Sequence, residues 1–269
     1  MLYKFLIGFL NSFAYHLVII VLFGFVANSY SQDYNKETAT VTDIDGNVYK
    51  AVKIGNQIWM AENLKVTHYR NGDIIPNIVD NKIWSDVSTG AYCYYNNDTA
   101  YVDTYGLLYN WYAVTDSANI APEGWHVPND EEWKELEMFL GISKDEVNKT
   151  TMDPEVLDKF LELSMISKKT AYEYLERGTD EGSKLKSTSG WETNENSTNS
   201  SGFSGLPGGT RTDEGEFIHL SIRAHFWTTT MNPNVPVIAI NRFLDCNKEV
   251  IDIAAAFFNA GLSVRCVKD

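Results

Sequence analysis

Between Ala121 and Leu140 the chain reads APEGWHVPNDEEWKELEMFL. A Pro/Gly turn leads into a short apolar run, Trp125-His126-Val127, which Pro128 closes. Beyond it the apolar positions Trp133, Leu136 and Leu140, with Phe139 beside them, recur at helical spacing and form one stripe. Asn129 stands as N-cap, and Glu132 lies three residues on, as a capping box requires. Asp130 and Glu131 place negative charge at the positive end of the helix dipole, and Gly141 ends the run. The pattern predicts a strand-like lead into a well-capped helix that buries a tryptophan.

The rest of the chain falls around that helix. Val41–Lys53 predicts strand, turn and strand about Asp45-Gly46-Asn47, and Ile54–Met60 a further turn and strand. Thr67–Thr89 is loop-rich, and Ala91–Tyr95 reads as a short aromatic strand. Tyr105–Val114 is apolar on most sides, which fits a short helix or a strand equally. Ser143–Glu176 is charged and helical, with Asp153-Pro154 as cap and first residue, and Lys168–Glu176 as a further helix. From Gly178 the chain turns polar and glycine-rich. A hairpin is expected through Asp213–Phe217, then strands at Ala224–Thr230, Val235–Leu244, Glu249–Ile253 and Gly261–Val267. The sum is an α+β domain: one central capped helix, several short antiparallel strands, long loops and a helical insertion at about 143–176.

Composition adds a cellular address. Phe5–Val26 is almost continuously apolar, Lys4 precedes it, and small or polar residues follow from Ala27 to Gln32. A signal peptide over residues 1–31, cleaved after Ser29 or Ser31, fits this best; an uncleaved anchor is the rival. No cysteine near the junction suggests a lipid anchor. A polar, flexible segment over 32–40 would follow, then one domain over 41–269. Lys4 is the only charge before Gln32, so the exported chain would carry 21 basic and 36 acidic residues, a charge of −15. Such a charge repels nucleic acid backbones and anionic membrane surfaces. Membrane contact is therefore expected only through the signal segment. Cys93, Cys246 and Cys266 are too few for a disulfide framework; one bridge with a free thiol, or none, both fit.

Five ordered blocks carry a resemblance. They are DIDGNVYKAVKIGNQIWMAENLK (Asp43–Lys65), TYGLLYNWYAV (Thr104–Val114), GWHVPNDEEW (Gly124–Trp133), GLPGGTR (Gly205–Arg211) and LSVRCVKD (Leu262–Asp269). In this order they resemble the Fibrobacter succinogenes major paralogous domain, a secreted or surface-exposed family. Its pattern is similar to the formylglycine-generating-enzyme branch of the C-type-lectin-like fold, which implies a single domain of that architecture. Ala121 stands where family members commonly have a cysteine, so a bridge from that position to Cys266 is absent. Thr151–Glu176 reads as an insertion.

Candidate chemistry is sparse. The five histidines, at 16, 68, 126, 219 and 225, include no pair at metal-ligand spacing. Asp43-x-Asp45-Gly46-Asn47 imitates the start of a calcium loop but lacks the later acid. The lectin calcium motifs are missing too, since Asn232-Pro233-Asn234 has no acid. Oxidases that the fold resembles use paired cysteines late in the chain, and Cys246 alone does not recreate them. No catalytic residue, cofactor or metal ligand is therefore assigned. Binding is the better expectation, through the loops Ser187–Gly209 and Thr228–Pro236, whose aromatics stand among short amides and hydroxyls. The candidate ligand-binding residues are Trp191, Phe203, Arg211, Trp227, Asn232 and Asn234. Trp227 and Phe203 would also suit a core, whereas Trp191 is isolated in a polar run and is the expected exposed anchor. The expected partner is an extracellular glycan or protein. A structural envelope protein, or an enzyme related to the formylglycine oxidases, are the alternatives.

Overall fold

The helix expected at the centre is present, and both sheets are built against it. In the computed structural model, which describes residues 39–149, 175–232 and 235–269, these residues fall in one compact unit. The proposed signal peptide, most of the segment 32–40, residues 150–174 of the proposed insertion, and Asn234 lie outside the described residues.

A meander of β1 (Ala39–Thr42), β2 (Val48–Ile54) and β3 (Gln57–Met60) begins the fold. Ala39 and Thr40 thus belong to a strand, not to a flexible lead. The turn between β1 and β2 is organised by Asp43. One carboxylate oxygen accepts the amides of Asp45 at 3.0 Å and Asn47 at 2.9 Å, and the other accepts the Tyr49 hydroxyl at 2.6 Å. The calcium-like spacing is in this structure an Asx turn whose acid serves its own loop.

Helix α1 (Asn81–Asp86), β4 (Tyr92–Cys93), α2 (Val102–Tyr105), β5 (Leu108–Tyr109), α3 (Trp111–Val114) and β6 (Trp125–His126) come next. The ambiguous run Tyr105–Val114 therefore contains both a strand and a helix. Asn110 makes the switch: its side-chain oxygen accepts the Ala91 amide at 2.9 Å and caps α3 through the Ala113 amide at 3.0 Å. Helix α4 (Asp130–Leu140) has the full capping box, with Asn129 and Glu132 each bonding the other's backbone amide.

After α5 (Lys144–Val147), the chain returns as β7 (Leu175–Arg177), α6 (Glu181–Leu185), β8 (Gly208–Arg211), β9 (Phe217–Leu220), β10 (Arg223–Met231), β11 (Ile238–Asp245), β12 (Ile251–Phe257) and β13 (Val267–Lys268). Leu175 and Glu176 were expected to be helical; instead they pair with Ile253 and Asp252 along the open edge of β12. That tertiary pairing overrides the helix preference of leucine and glutamate.

The strands form a five-stranded sheet in the order β1-β2-β3-β13-β6 and a six-stranded sheet in the order β7-β12-β11-β10-β8-β9; β4 and β5 pair separately. The last residues tie these together. Gly261 bridges to Arg211, Leu262 to Tyr109, Ser263 to Phe226, and Val267 pairs with both Trp59 and His126. Of the strand expected over Gly261–Val267, only Val267 falls in a continuous strand; Gly261, Leu262 and Ser263 form single bridges, and Val264–Cys266 form none.

Helix α4 buries Trp133, Leu136 and Leu140 against Trp59, Phe203, Phe226 and Leu185. Trp133 lies 5.0 Å from Trp59 and 5.8 Å from Phe226, ring centre to ring centre. Each such side chain contributes roughly 1.5–3 kcal/mol by leaving water. Both oxygens of Glu137 are engaged, by Arg242 at 2.5 Å and Arg177 at 3.1 Å, and Arg242 also meets Asp130 at 2.7 Å. Arg265 makes no ion pair among the described residues; it donates to Asn63 and to the carbonyls of Met60, Phe203 and Ser204 under the rings of Phe203 and Phe226. Burial lowers it to about 9 from the ordinary guanidinium value.

Candidate functional site

Directly paired residues of neighbouring strands point to the same side of a sheet. The register couples Arg223 with Asp245, His225 with Phe243, and Trp227 with Asn241 across β10 and β11. It then couples Asn241 with Ala254, and Ala239 with Ala256, across β11 and β12. One face of the six-stranded sheet thus carries His225, Asn241, Phe243, Ala254 and Ala256. The opposite face, with Phe226, Arg242 and Leu244, packs on the helix side. This two-sided use explains why every residue of β11 is buried.

Alanines at 254 and 256 leave room where larger side chains would meet the next layer. Between them and the β8–β9 hairpin lies a cavity of about 400 Å³, walled by Thr210, Ile218, His219 and Phe243, with Ala260 and Leu262 behind. That volume is in the range of small-molecule sites. The hairpin approaches so closely because Gly209 has φ +66°; a Cβ there would stand 2.6 Å from the Ile218 carbonyl and 2.7 Å from the Tyr95 ring. His219 and Ser221 also have positive φ, 66° and 63°, and turn the chain from β9 into β10.

The two histidines set the chemistry. His225, 9% exposed, stacks on Phe243 at 4.8 Å, and the near-parallel ring of His219 lies 6.4 Å away. His225 Nδ1 lies 3.4 Å from the side-chain oxygen of Asn241. An amide oxygen only accepts, so this contact suits the tautomer protonated at Nδ1, with Nε2 as the acceptor nitrogen. That Nε2 and the Nδ1 of His219 have no hydrogen-bond partner among the described residues. Burial pushes His225 down to about 3, with His219 and Arg223 adding to the effect. Burial and Arg223 lower His219 as well. Both rings are neutral at physiological pH.

The cations of the wall are already engaged. Arg211 donates to the carbonyls of Gly215, Ile78 and Val79 and to Asn81, between the rings of Trp84 and Phe217. Arg223 donates from Nε to Asp245 at 2.8 Å. Cys93, Cys246 and Cys266 are free and buried, none lines the cavity, and burial raises each thiol, Cys93 to about 12. Among the described residues no group of three or more metal-ligating side chains converges. The cavity can hold and hydrogen-bond a ligand; its walls carry no activated nucleophile.

Of the expected binding residues that are described, only Arg211 lines this cavity, and its donors already hold the segment before α1. Trp191 is 5% exposed and lies in the helix-side core, with Lys186 Nζ 5.6 Å from its ring centre. The exposed anchor expected of it is corrected: the lone large apolar group of a polar loop is what pins that loop to the core. Phe203 and Trp227 are fully buried, and Trp227 donates to the Tyr109 carbonyl at 2.7 Å. Asn232 is buried and its side-chain oxygen accepts the Val235 amide. His219, His225 and Asn241 were not singled out from the sequence. The available signal was polar residues alternating within otherwise buried strands, beside the alanine run Ala254–Ala256.

The comparison with known families decides the lineage. The model of the Fibrobacter succinogenes major domain matches residues 52–268. The chain belongs to that family. No curated protein matches it, and no solved structure does. In this family member the matched span includes the whole cavity, from Thr210 to Leu262, and the central helix.

Proposed function

We propose that this domain is an exported, non-catalytic recognition module of C-type-lectin-like lineage, whose ligand enters the cavity between β12 and the β8–β9 hairpin. The observation that carries this reading is the cavity of about 400 Å³, large enough for a small molecule and lined by the polar side chains of Thr210, His219, His225 and Asn241. The apolar N-terminal run with its small-residue junction supports export, and an extracellular glycan or protein is the partner in keeping with it.

Binding arrays of glycans and extracellular proteins, probed with the wild type and with Ala256→Trp, test the reading. Filling the cavity is expected to remove the wild-type signals while the protein still melts cooperatively. Signals that survive in a folded Ala256→Trp protein place the binding surface elsewhere. Binding is expected to persist in a chelator.

A further inference from the structure

The ligand class follows from the donors that the cavity walls leave open, and this step rests on the binding reading above. We propose that the cavity takes a carboxylate on a compact apolar body, its oxygens accepting hydrogen bonds from the terminal amino groups of Arg223.

Arg223 opens β10 on the face that carries His225 and Asn241, and it lines the cavity. Its side chain is 25% exposed, which sets it at the mouth. Only Nε is bonded, to Asp245; the two terminal amino groups have no partner among the described residues and are not sealed from solvent. The end of the guanidinium fork, which fits a carboxylate through two parallel bonds, is therefore open. Asp245 does not forbid a second acid there, since Arg242 already serves Glu137 and Asp130 together. The other cations nearby are committed, Arg211 to Ile78, Val79 and Asn81, and Lys248 to Glu176 and Asp252. On the buried wall, Thr210 Oγ1 and Asn241 Nδ2 also lack partners among the described residues without being sealed. A carboxylate answers such donors because it only accepts. A cationic ligand would be repelled by Arg223, and Glu216, the acid of the rim, is exposed to screening water. Inorganic phosphate would satisfy Arg223 but leave Ile218, Phe243, Ala254, Ala256 and Leu262 uncovered. An apolar body takes that surface out of water.

The test compares an acid with its uncharged amide in the wild-type domain. Protein labelled with ¹⁵N is titrated with 3-phenylpropanoate, its amide, N-acetylglycylphenylalanine and phosphate, and the signals of Arg223 Nε–H and of the Ala254 and Ala256 amides are followed. The acid is expected to move all three and to bind at least about tenfold tighter than the amide, the factor that one hydrogen bond between charged groups supplies. Arg223→Gln is expected to bring the acid down to the affinity of its amide. Ala256→Phe, which fills the cavity and keeps Arg223, is expected to abolish binding of both. The acetylated dipeptide separates the sources: its binding supports a chain end, and its failure beside binding of 3-phenylpropanoate supports a free acid. If the amide binds wild type as tightly as the acid, or phosphate binds and the acid does not, the carboxylate assignment is overturned while the cavity stands as a binding site. If no probe moves the three signals, the carboxylate assignment also falls. The cavity reading falls with it only if array signals survive Ala256→Trp as well.

Discussion

Nε2 of His126 lies 2.6 Å from one carboxylate oxygen of Glu132, whose other oxygen accepts the Asn129 amide at 2.8 Å. On its far side Nδ1 meets Asp269 at 2.6 Å. One imidazole therefore joins β6, the capped start of α4 and the last residue of the chain. Burial alone would lower the His126 pKa; the bonds to Asp269 and Glu132 outweigh it and raise the pKa above 6.5. A raised folded value means the contribution is complete below the unfolded value near 6.5 and is lost as pH climbs through the folded one. The melting-temperature difference between wild type and His126→Gln should shrink steadily as pH rises from 6 toward alkaline values. A difference independent of pH would show that the charge on His126 does not contribute.

Glu137 is fully buried between two guanidinium groups. Glu137→Ala leaves Arg177 without its acid and Arg242 with Asp130 alone, and should cost about 3–5 kcal/mol. Replacing Glu137, Arg177 and Arg242 together by methionine should cost far less, because no uncompensated charge is left behind. Urea unfolding of both variants measures the contrast.

Trp133 is 1% exposed against Trp59, Phe203 and Phe226. Trp133→Ala should cost about 3–5 kcal/mol, whereas Asn129→Ala, which removes only the cap, should cost about 1 kcal/mol. Denaturant midpoints order the two, and equal losses would contradict this packing.

Trp191→Ala should likewise lower stability, by about 3–5 kcal/mol, since the ring lies in the same core as Trp133. Calorimetry of the variant checks it. An unchanged melting temperature would mean that the ring is exposed after all.

His225→Phe removes the orphan nitrogen and keeps a ring to stack on Phe243. It should change stability little, because the apolar ring no longer buries an unpaired nitrogen while the buried Asn241 oxygen loses its Nδ1 contact. A strongly destabilised variant, read by thermal melting, would mean that Nε2 has a partner in the folded protein.

Local physics was legible in the chain itself. The cap at Asn129, the Trp133–Leu136–Leu140 stripe, the turn at Asp45-Gly46-Asn47 and the hairpin after Arg211 each depend on residues a few positions apart. Their spacing is sufficient to specify them. The ordered blocks likewise carried the family. The β7 strand and the cavity depended on partners far away. Leu175 becomes strand because Ile253 offers it an edge. His225 and Asn241 share a face with Ala254 only once three strands have taken one register, and a one-residue slip would send them to the opposite side. Trp191 looked exposed because its sequence neighbours are polar, yet burial is set by neighbours in space. Whether a polar group is satisfied is likewise decided by long-range contacts, so only the tertiary structure identified the unpartnered Nε2 of His225.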